Sequence, residues 1–316
     1  MQREIYMGLG RVFVELYTIK NIYDYIDIVY QLKTKKTVLW YRGQNNAKLR
    51  LIPSIMRNIY TVSDGIGEKI LPRKTNHSNH DNGEVRYLNV RTMLDEFKKK
   101  AKPYISTKPN NDLEWLCLAQ HYSLPTTLLD WTTDPLVALC FALEDIDPKK
   151  KIIGYEKSKN AFEPSEFCEY GAAVYIIKPK KINVSVKDLT DNKSRILDIS
   201  KHEEIIFYAM DSEVLPPICI SGMRNDKRMC RQSGNFTMHS KLVWPLDYWE
   251  YFRKDICKIF IPYIFADEIK KNLMALDLTK KTVYVDYDIK DEISKKIAKK
   301  HKLDFIKSID DLKKNI

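Results

Sequence analysis

Arg42 and its neighbours follow a run of residues typical of a buried strand. Residues 37–41 (TVLWY) are β-branched or aromatic for the most part, which favours a strand. A guanidinium binds an anion through parallel N–H groups, and a glycine lets the backbone come close to a ligand. The sequence therefore predicts an anion site at the end of this strand, formed by Tyr41, Arg42, Gly43 and Gln44.

A second polar stretch stands between a predicted strand and a predicted helix. The sequence favours a strand at 126–129 and predicts a helix at 136–143 that is apolar on nearly every side. Asp130, Trp131 and Thr132 lie between the two. A helix N-terminus offers unpaired N–H groups and the positive end of a dipole. We therefore expect these three residues to face a ligand, with the indole of Trp131 available for stacking.

Two further groups complete the predicted site. His121 ends a predicted helix at 112–121 and can donate a hydrogen bond or carry a proton, and Tyr122 after it can stack on a ring. Arg228, Gln232 and Gly234 stand in a basic stretch before a predicted strand at 236–238. There Arg228 can bind an anion and the amide of Gln232 can bond a hydroxyl.

Each of these residues also has a purely structural interpretation. Arg42 and Asp130 could form an ion pair that only holds the core, and Asp130 could only cap backbone N–H groups. His121 could only complement the helix dipole, and Trp131 could be a core residue. In the basic stretch, Gln232 and Gly234 could form a turn, while Arg228 could pair with a nearby carboxylate.

The rest of the chain predicts an α+β protein. Further strands are expected at 12–17, 171–177, 217–220, 258–262 and 282–285, and helices at 22–32, 84–100, 266–276 and 291–301. The turn-rich stretch 58–83 predicts a long surface loop. We expect a single compact domain: a lead-in at 1–36, a main part at 37–262 with that loop inserted, and a Lys-rich extension at 263–316 packed on the same domain.

Composition narrows the classes of function. The 316 residues carry 53 Lys and Arg against 42 Asp and Glu, a net charge of +11. This surplus suits nucleic acid or phosphorylated ligands. The six cysteines form no CxxC pair, which predicts buried, reduced thiols in a cytoplasmic protein. No apolar run suggests a signal peptide, a membrane span or a membrane partner. His77 and His80 lack ligand-spaced neighbours, so we expect no metal.

Three blocks of residues resemble the FRG domain family, which is named for a Phe-Arg-Gly motif. Tyr41-Arg42-Gly43-Gln44 is the first block, with Tyr41 in the Phe position. The second runs from His121-Tyr122-x-Leu124-Pro125-Thr126 through Leu128-Leu129-Asp130-Trp131-Thr132 to Phe141-Ala142, and the third is Arg228-x-x-x-Gln232-x-Gly234-x-Phe236. The resemblance spans about 37–262. Thr127 stands where the family usually has a basic residue, which removes one anion contact.

The chain also resembles, more weakly, the ADP-ribosyltransferases. That resemblance implies a mixed, split β-sheet flanked by helices and NAD as the substrate. Arg42 would hold the phosphates or a ribose edge, and Asp130 would steady an oxocarbenium-like sugar. Thr132 and Gln232 would orient hydroxyls, while His121 and Trp131 would line the pocket. Gln232 stands where the transferases usually have Glu, and an amide cannot act as a base.

Two functions of different class follow from these resemblances. One is an NAD-dependent ADP-ribosyltransferase or NAD glycohydrolase that acts in bacterial or phage-related conflict, as a toxin or in phage defence, on a protein, a nucleic acid or water. The other is a non-catalytic module that binds a nucleotide or a nucleic acid in the same basic cleft. The sequence indicates no oligomeric state.

Overall fold

The structure is a computed structural model that describes residues 14–34, 37–57, 60–61, 85–105, 108–184, 186, 195–222, 235–279, 282 and 289–314. The strands are β1 (Glu15–Thr18), β2 (Trp40–Gln44), β3 (Tyr60–Thr61), β4 (Val85–Arg86), β5 (Leu128–Trp131), β6 (Gly171–Ile177), β7 (Leu197–Asp198), β8 (Ile218–Ser221), β9 (Asn235–Met238) and β10 (Ile256–Pro262). The helices are α1 (Ile22–Leu32), α2 (Val90–Ala101), α3 (Asp112–His121), α4 (Pro135–Ala142), α5 (Tyr155–Phe162), α6 (Pro179–Val184), α7 (Glu203–Asp211), α8 (Glu250–Arg253), α9 (Tyr263–Ala275) and α10 (Ile289–Lys314).

The first sheet has the strand order β1-β10-β6-β2 and packs against apolar residues on both faces. β1 runs parallel to β10, whereas β10, β6 and β2 pair in antiparallel fashion. Alternate residues of β6 point to opposite sides, so Val174 packs with α1, α4 and α9 while Tyr175 packs toward the second sheet. The sheet therefore lies at the centre of the protein.

The second sheet has the order β5-β9-β8-β7 and meets the first at one point. β7 and β8 are parallel and the other pairs are antiparallel. The backbones of Tyr41 and Thr132 exchange two hydrogen bonds of 2.7 and 2.8 Å, which bridge β2 to the end of β5. Beyond this pair the two strands diverge, so the combined sheet splits between Arg42 and Asp130.

The α+β class and several predicted elements are confirmed. The helices at 22–32 and 112–121 and the strand at 171–177 have the predicted bounds. The helix predicted at 84–100 begins at Val90, because the side chain of Asn89 caps it by accepting from the backbone N–H groups of Arg91 and Thr92. Asp134 caps α4 in the same way, as expected, at Leu136 and Val137.

Two predicted strands are shifted along the chain. The strand expected at 126–129 begins at Leu128, because the hydroxyl of Thr126 accepts from the backbone N–H of Leu128 and closes a turn. The strand expected at 37–41 is displaced to Trp40–Gln44, where it pairs with β6. The loop at 62–83, the basic stretch at 223–234 and most of the strand expected at 282–285 lie outside the described residues.

The five cysteines in the described part of the chain are buried and form no disulfide, as predicted for reduced thiols. Burial raises the pKa of each of their thiols, so they stay protonated at neutral pH. None of the helices that the structure describes combines the length and hydropathy that crossing a membrane requires. The division into lead-in, main part and extension stays a prediction.

Candidate functional site

A cleft of about 490 Å³ opens where β2 and β5 diverge. It is bordered by the end of α3 on one side and by the residues after α4 on another. Its lining consists of Tyr41–Gln44, Asn45, Leu49, Ser54, Arg57, Gln120, His121, Ser123, Leu124, Leu128–Thr132, Phe141, Glu144 and Asp145. Most of the predicted site residues in the described part of the chain therefore meet in one cleft.

Arg42 crosses the split between the sheets. Its Nη1 donates to the backbone carbonyl of Asp130 at 2.9 Å and lies 3.6 Å from the Oδ2 of that residue. Only 16% of the side chain is exposed, and burial lowers the pKa of Arg42 to about 10 although the Asp130 carboxylate opposes that shift. Among the described residues, Nε of Arg42 has no hydrogen-bond partner. The guanidinium thus retains binding capacity beside the cleft.

Asp130 presents its carboxylate to the cleft. The side chain is 53% exposed, and Oδ2 accepts a 2.8 Å hydrogen bond from Nε2 of Gln120. Gln120 is held in turn by the hydroxyl of Thr126, which donates to Oε1 at 2.5 Å. The ion-pair interpretation is thus only partly supported, because the shortest contact of Arg42 is to the carbonyl rather than to the carboxylate.

Arg57 is a second cation at the cleft, and it is not among the residues predicted from the sequence. Its guanidinium is close enough to that of Arg42 to lower the pKa of Arg42. Desolvation lowers the pKa of Arg57 itself, and the Asp130 carboxylate opposes the shift. Arg57 lies in an irregular segment 13 residues after β2 ends, where no periodicity indicates which way a side chain faces. Only the path of that segment brings it to Arg42.

The segment 45–57, which carries Arg57, is fastened to the protein by side chains from distant elements. The hydroxyl of Tyr175 donates to the carbonyl of Leu49 at 3.1 Å, and Oδ1 of Asp247 accepts from the backbone N–H of Leu51 at 3.1 Å. The hydroxyl of Tyr263 donates to the carbonyl of Asn45. These bonds fix one wall of the cleft.

Lys258 of β10 is a further support of this segment and is deeply buried. It is 2% exposed, and its Nζ donates to the carbonyl of Ala47 at 2.8 Å and to the carbonyl of Glu166. The Nζ also lies 4.3 Å from the ring centroid of Phe167 and 4.9 Å from that of Tyr175. Desolvation lowers the pKa of Lys258 to about 7, although Asp247 and Glu166 oppose the shift.

Tyr41 and Gln44 are buried side chains at the cleft with an unsatisfied atom. They are 1% and 5% exposed. Within the described residues, neither the hydroxyl of Tyr41 nor Oε1 of Gln44 has a hydrogen-bond partner. A buried polar atom without a partner is rare and costs about 1–3 kcal/mol. Gln44 lies on the same side of β2 as Arg42 and leaves an acceptor for a ligand, whereas the ring of Tyr41 packs on the opposite side, in the core with α1 and α4.

Gly43 has a different role from the one expected. A Cβ at this position would lie 2.0 Å from the carbonyl oxygen of Ala138 and 2.5 Å from the backbone nitrogen of Ala142. The close approach that the glycine allows is therefore to α4 and not to a ligand. Gly43 shapes the cleft by letting α4 pack directly on β2.

Trp131 and Tyr122 do not provide stacking surfaces. Trp131 is 2% exposed, and its Nε1 donates to the hydroxyl of Thr237 inside the core. Tyr122 is 3% exposed, packs beside Phe97 and does not line the cleft. Both predictions are wrong for one reason: these rings supply much of the apolar area that α3 and β5 bury. Phe141 also lines the cleft and is less deeply buried than these two rings.

The other predicted residues have mixed outcomes. Thr132 lines the cleft, but its hydroxyl accepts from the backbone N–H of Asp134 at 3.0 Å and so helps to begin α4. His121 also lines the cleft, with its ring edge-on to Tyr122. Arg228, Gln232 and Gly234 lie outside the described residues.

In the part of the chain that the structure describes, no group of three or more His, Cys, Asp or Glu could hold a metal ion. His239, which follows β9, is wholly buried. Burial lowers the pKa of His239 to about 3, so its imidazole is neutral at physiological pH.

A comparison with protein families gives one match. The family model of the FRG domain matches residues 37–151. This range contains Arg42, Arg57, His121 and Asp130, and it ends before the Gln232 block. No curated protein and no solved structure matches the chain.

Proposed function

We propose that this protein, whose residues 37–151 form an FRG domain, binds the phosphates of a nucleotide in the cleft between β2 and β5. The observation that carries the proposal is the convergence of Arg42 and Arg57 on the carboxylate of Asp130 in one cleft. Asp130 is the carboxylate that acts on both guanidinium groups, although Glu144 and Asp145 also line the cleft. Two guanidinium groups around this one carboxylate make that part of the cleft locally positive, and guanidinium matches phosphate oxygens in geometry. The unsatisfied atoms of Arg42 and Gln44 support a polar ligand at this place.

NAD is the nucleotide that best matches the rest of the cleft. The two arginines would bind its pyrophosphate. The acidic side chains of Glu144 and Asp145 line the same cleft and would favour a cationic nicotinamide ring. Phe141 would supply the flat surface that Trp131 and Tyr122 do not. The volume of about 490 Å³ lies within the usual range of ligand pockets.

Cleavage of NAD is the second candidate function, and the half-exposed carboxylate of Asp130 favours it. Gln120 and Arg42 hold this group at the cleft, where it could stabilise a developing positive charge on ribose. The ADP-ribose group would then be transferred to a protein, a nucleic acid or water, with nicotinamide as the leaving group. A role in bacterial or phage-related conflict, in phage defence or as a toxin, is proposed with it.

The likeness to ADP-ribosyltransferases is part of this proposal. Two mixed sheets that split at the Tyr41–Thr132 bridge support it. So does the order of a strand carrying Arg42, a later strand carrying Asp130, and the buried helix α4. If Gln232 occupies the place of the Glu of the transferases, Asp130 must supply the charge, because an amide cannot act as a base.

The binding proposal is tested by titrating NAD, ADP-ribose and ADP into the protein by calorimetry. Arg42→Ala and Arg57→Ala should each weaken binding at least about tenfold, because each removes charge-assisted hydrogen bonds. Arg91→Ala is the matched control, since this exposed arginine pairs with Asp211 away from the cleft. Unchanged affinity in both cleft variants, or no binding of the three ligands at 1 mM, would contradict the proposal.

Nicotinamide release separates the two candidate functions. If the protein cleaves NAD, Asp130→Asn should abolish release while NAD still binds, because an amide keeps the shape but not the charge of the carboxylate. Binding without release by the unmodified protein would support the non-catalytic module instead.

A further inference from the structure

Most lysines of this basic chain do not line the cleft, and a cluster of them lies on two helices elsewhere. The segment from Ile293 to Leu303 in α10 contains five lysines and His301 but no acidic residue. The end of α2 has a similar run, with four lysines and no acidic residue from Phe97 to Lys102. The proposed cleft therefore does not account for these positive charges.

The fold places these two runs beside each other. Oε2 of Glu96 in α2 meets Nζ of Lys300 at 3.2 Å and Nε2 of His301 at 2.8 Å. At the opposite end of the contact, Nζ of Lys290 reaches the carbonyl of Tyr104 at 3.2 Å. The helices are thus antiparallel, and Lys98–Lys102 lies alongside the first half of α10.

The outer lysines of α10 form a row along the helix. Lys295, Lys299 and Lys302 are exposed and stand at positions i, i+4 and i+7, opposite the buried Ile297. The row is roughly 10 Å long at 1.5 Å per residue. Within the part of the chain that the structure describes, Lys299 and Lys302 have no acidic partner, and neither has Lys99 on α2.

We propose that the α2–α10 face, defined by Lys98–Lys102 and Lys295–Lys302, binds the phosphate backbone of nucleic acid. A row of ammonium groups matches a regular array of phosphates and requires no particular base. An anionic membrane fits less well, because interfacial helices need an apolar face. Among the side chains of α10 that the structure describes, the large apolar ones that are exposed are Ile289 and Leu303. Binding here is independent of the nucleotide in the cleft.

The test is the salt dependence of binding to a fluorescent 20-base-pair DNA duplex of arbitrary sequence. The double variant K299E/K302E should bind at least tenfold more weakly at low salt. Its slope of log K against log salt should be smaller by about 2, since two phosphate contacts are lost. The matched control K180E/K271E changes the net charge equally on α6 and α9, where both lysines are exposed, and should lose less than threefold.

Three results would overturn the proposal. One is no binding by the unmodified protein at 50 mM salt, and another is an equal loss in both double variants. The third is binding to vesicles of phosphatidylserine and phosphatidylcholine but not to the duplex. Melting curves by circular dichroism check that all variants fold, and Arg42→Ala should bind the duplex normally, which separates this face from the cleft.

Discussion

At the scale of single residues, the cleft depends on charges removed from water. Arg42 is four-fifths buried and keeps its charge beside the carbonyl and carboxylate of Asp130. Lys258 is buried more completely than Arg42, and two backbone carbonyls and aromatic rings contact its ammonium in place of water. The folded protein tolerates such buried charges only while their few partners are in place, because an unpaired buried charge strongly destabilises the fold.

Lys258 gives a prediction for the effect of pH on stability. Its pKa is about 7 in the folded protein and near 10.5 when unfolded, so between these values the unfolded chain binds the additional proton. The free energy of unfolding should therefore contain a contribution that rises with pH from about 7 to 10. Denaturant melts at pH 6.5 and 9 should show this rise, and it should be absent in Lys258→Met.

The control for this prediction is Lys180→Met, which replaces an exposed lysine and should keep the pH dependence of the unmodified protein. If Lys258→Met keeps it too, the lysine does not titrate in this range. If Lys258→Met also weakens nucleotide binding, Lys258 acts as a positioning residue for the wall formed by 45–57, through the carbonyl of Ala47.

At the scale of elements, the cleft exists because α4 packs directly on β2. Helix α4 is apolar on nearly all sides and is held at its start by the Asp134 cap. The missing side chain at Gly43 lets the helix backbone approach the strand. This contact sets where α4 ends, and therefore where Phe141, Glu144 and Asp145 stand at the edge of the cleft.

Gly43→Ala tests this packing. The new methyl group would overlap the carbonyl oxygen of Ala138, so the free energy of unfolding should fall by about 1–3 kcal/mol. Urea denaturation measures the change. Gly154→Ala is the control, because a Cβ there meets no atom within 4 Å, and its effect should stay within about 0.5 kcal/mol. Equal stability of the two variants would show that α4 does not depend on this close approach.

At the scale of the whole molecule, two apolar cores share the first sheet. Residues such as Ile176 face α1, α4 and α9, while Ile177 faces the side of the second sheet. Because both cores need the same four strands, we expect them to unfold together. Thermal transitions followed by far-ultraviolet circular dichroism and by tryptophan fluorescence should coincide, and two separate midpoints would contradict a shared core.

Local patterns were sufficient to predict much of the fold and part of the site. The α+β class, α1, α3 and β6 follow from periodicity, caps and β-branched runs, which act over a few residues. The same patterns predicted Arg42 and Asp130 just after two strands, and the structure has both residues within strands, β2 and β5, that lie side by side. Residues near such ends can be identified because strand and helix signals show where an element stops.

Only the tertiary structure decided which of those residues line the cleft and what they contact. Arg57 lines the cleft because of the path that an irregular segment takes. Trp131 does not offer its ring to a ligand, because the ring is buried in the apolar core. The lysines of α10 lie beside α2 rather than in the cleft. Each of these outcomes depends on contacts between residues far apart in the chain, and local propensity carries no information about such contacts.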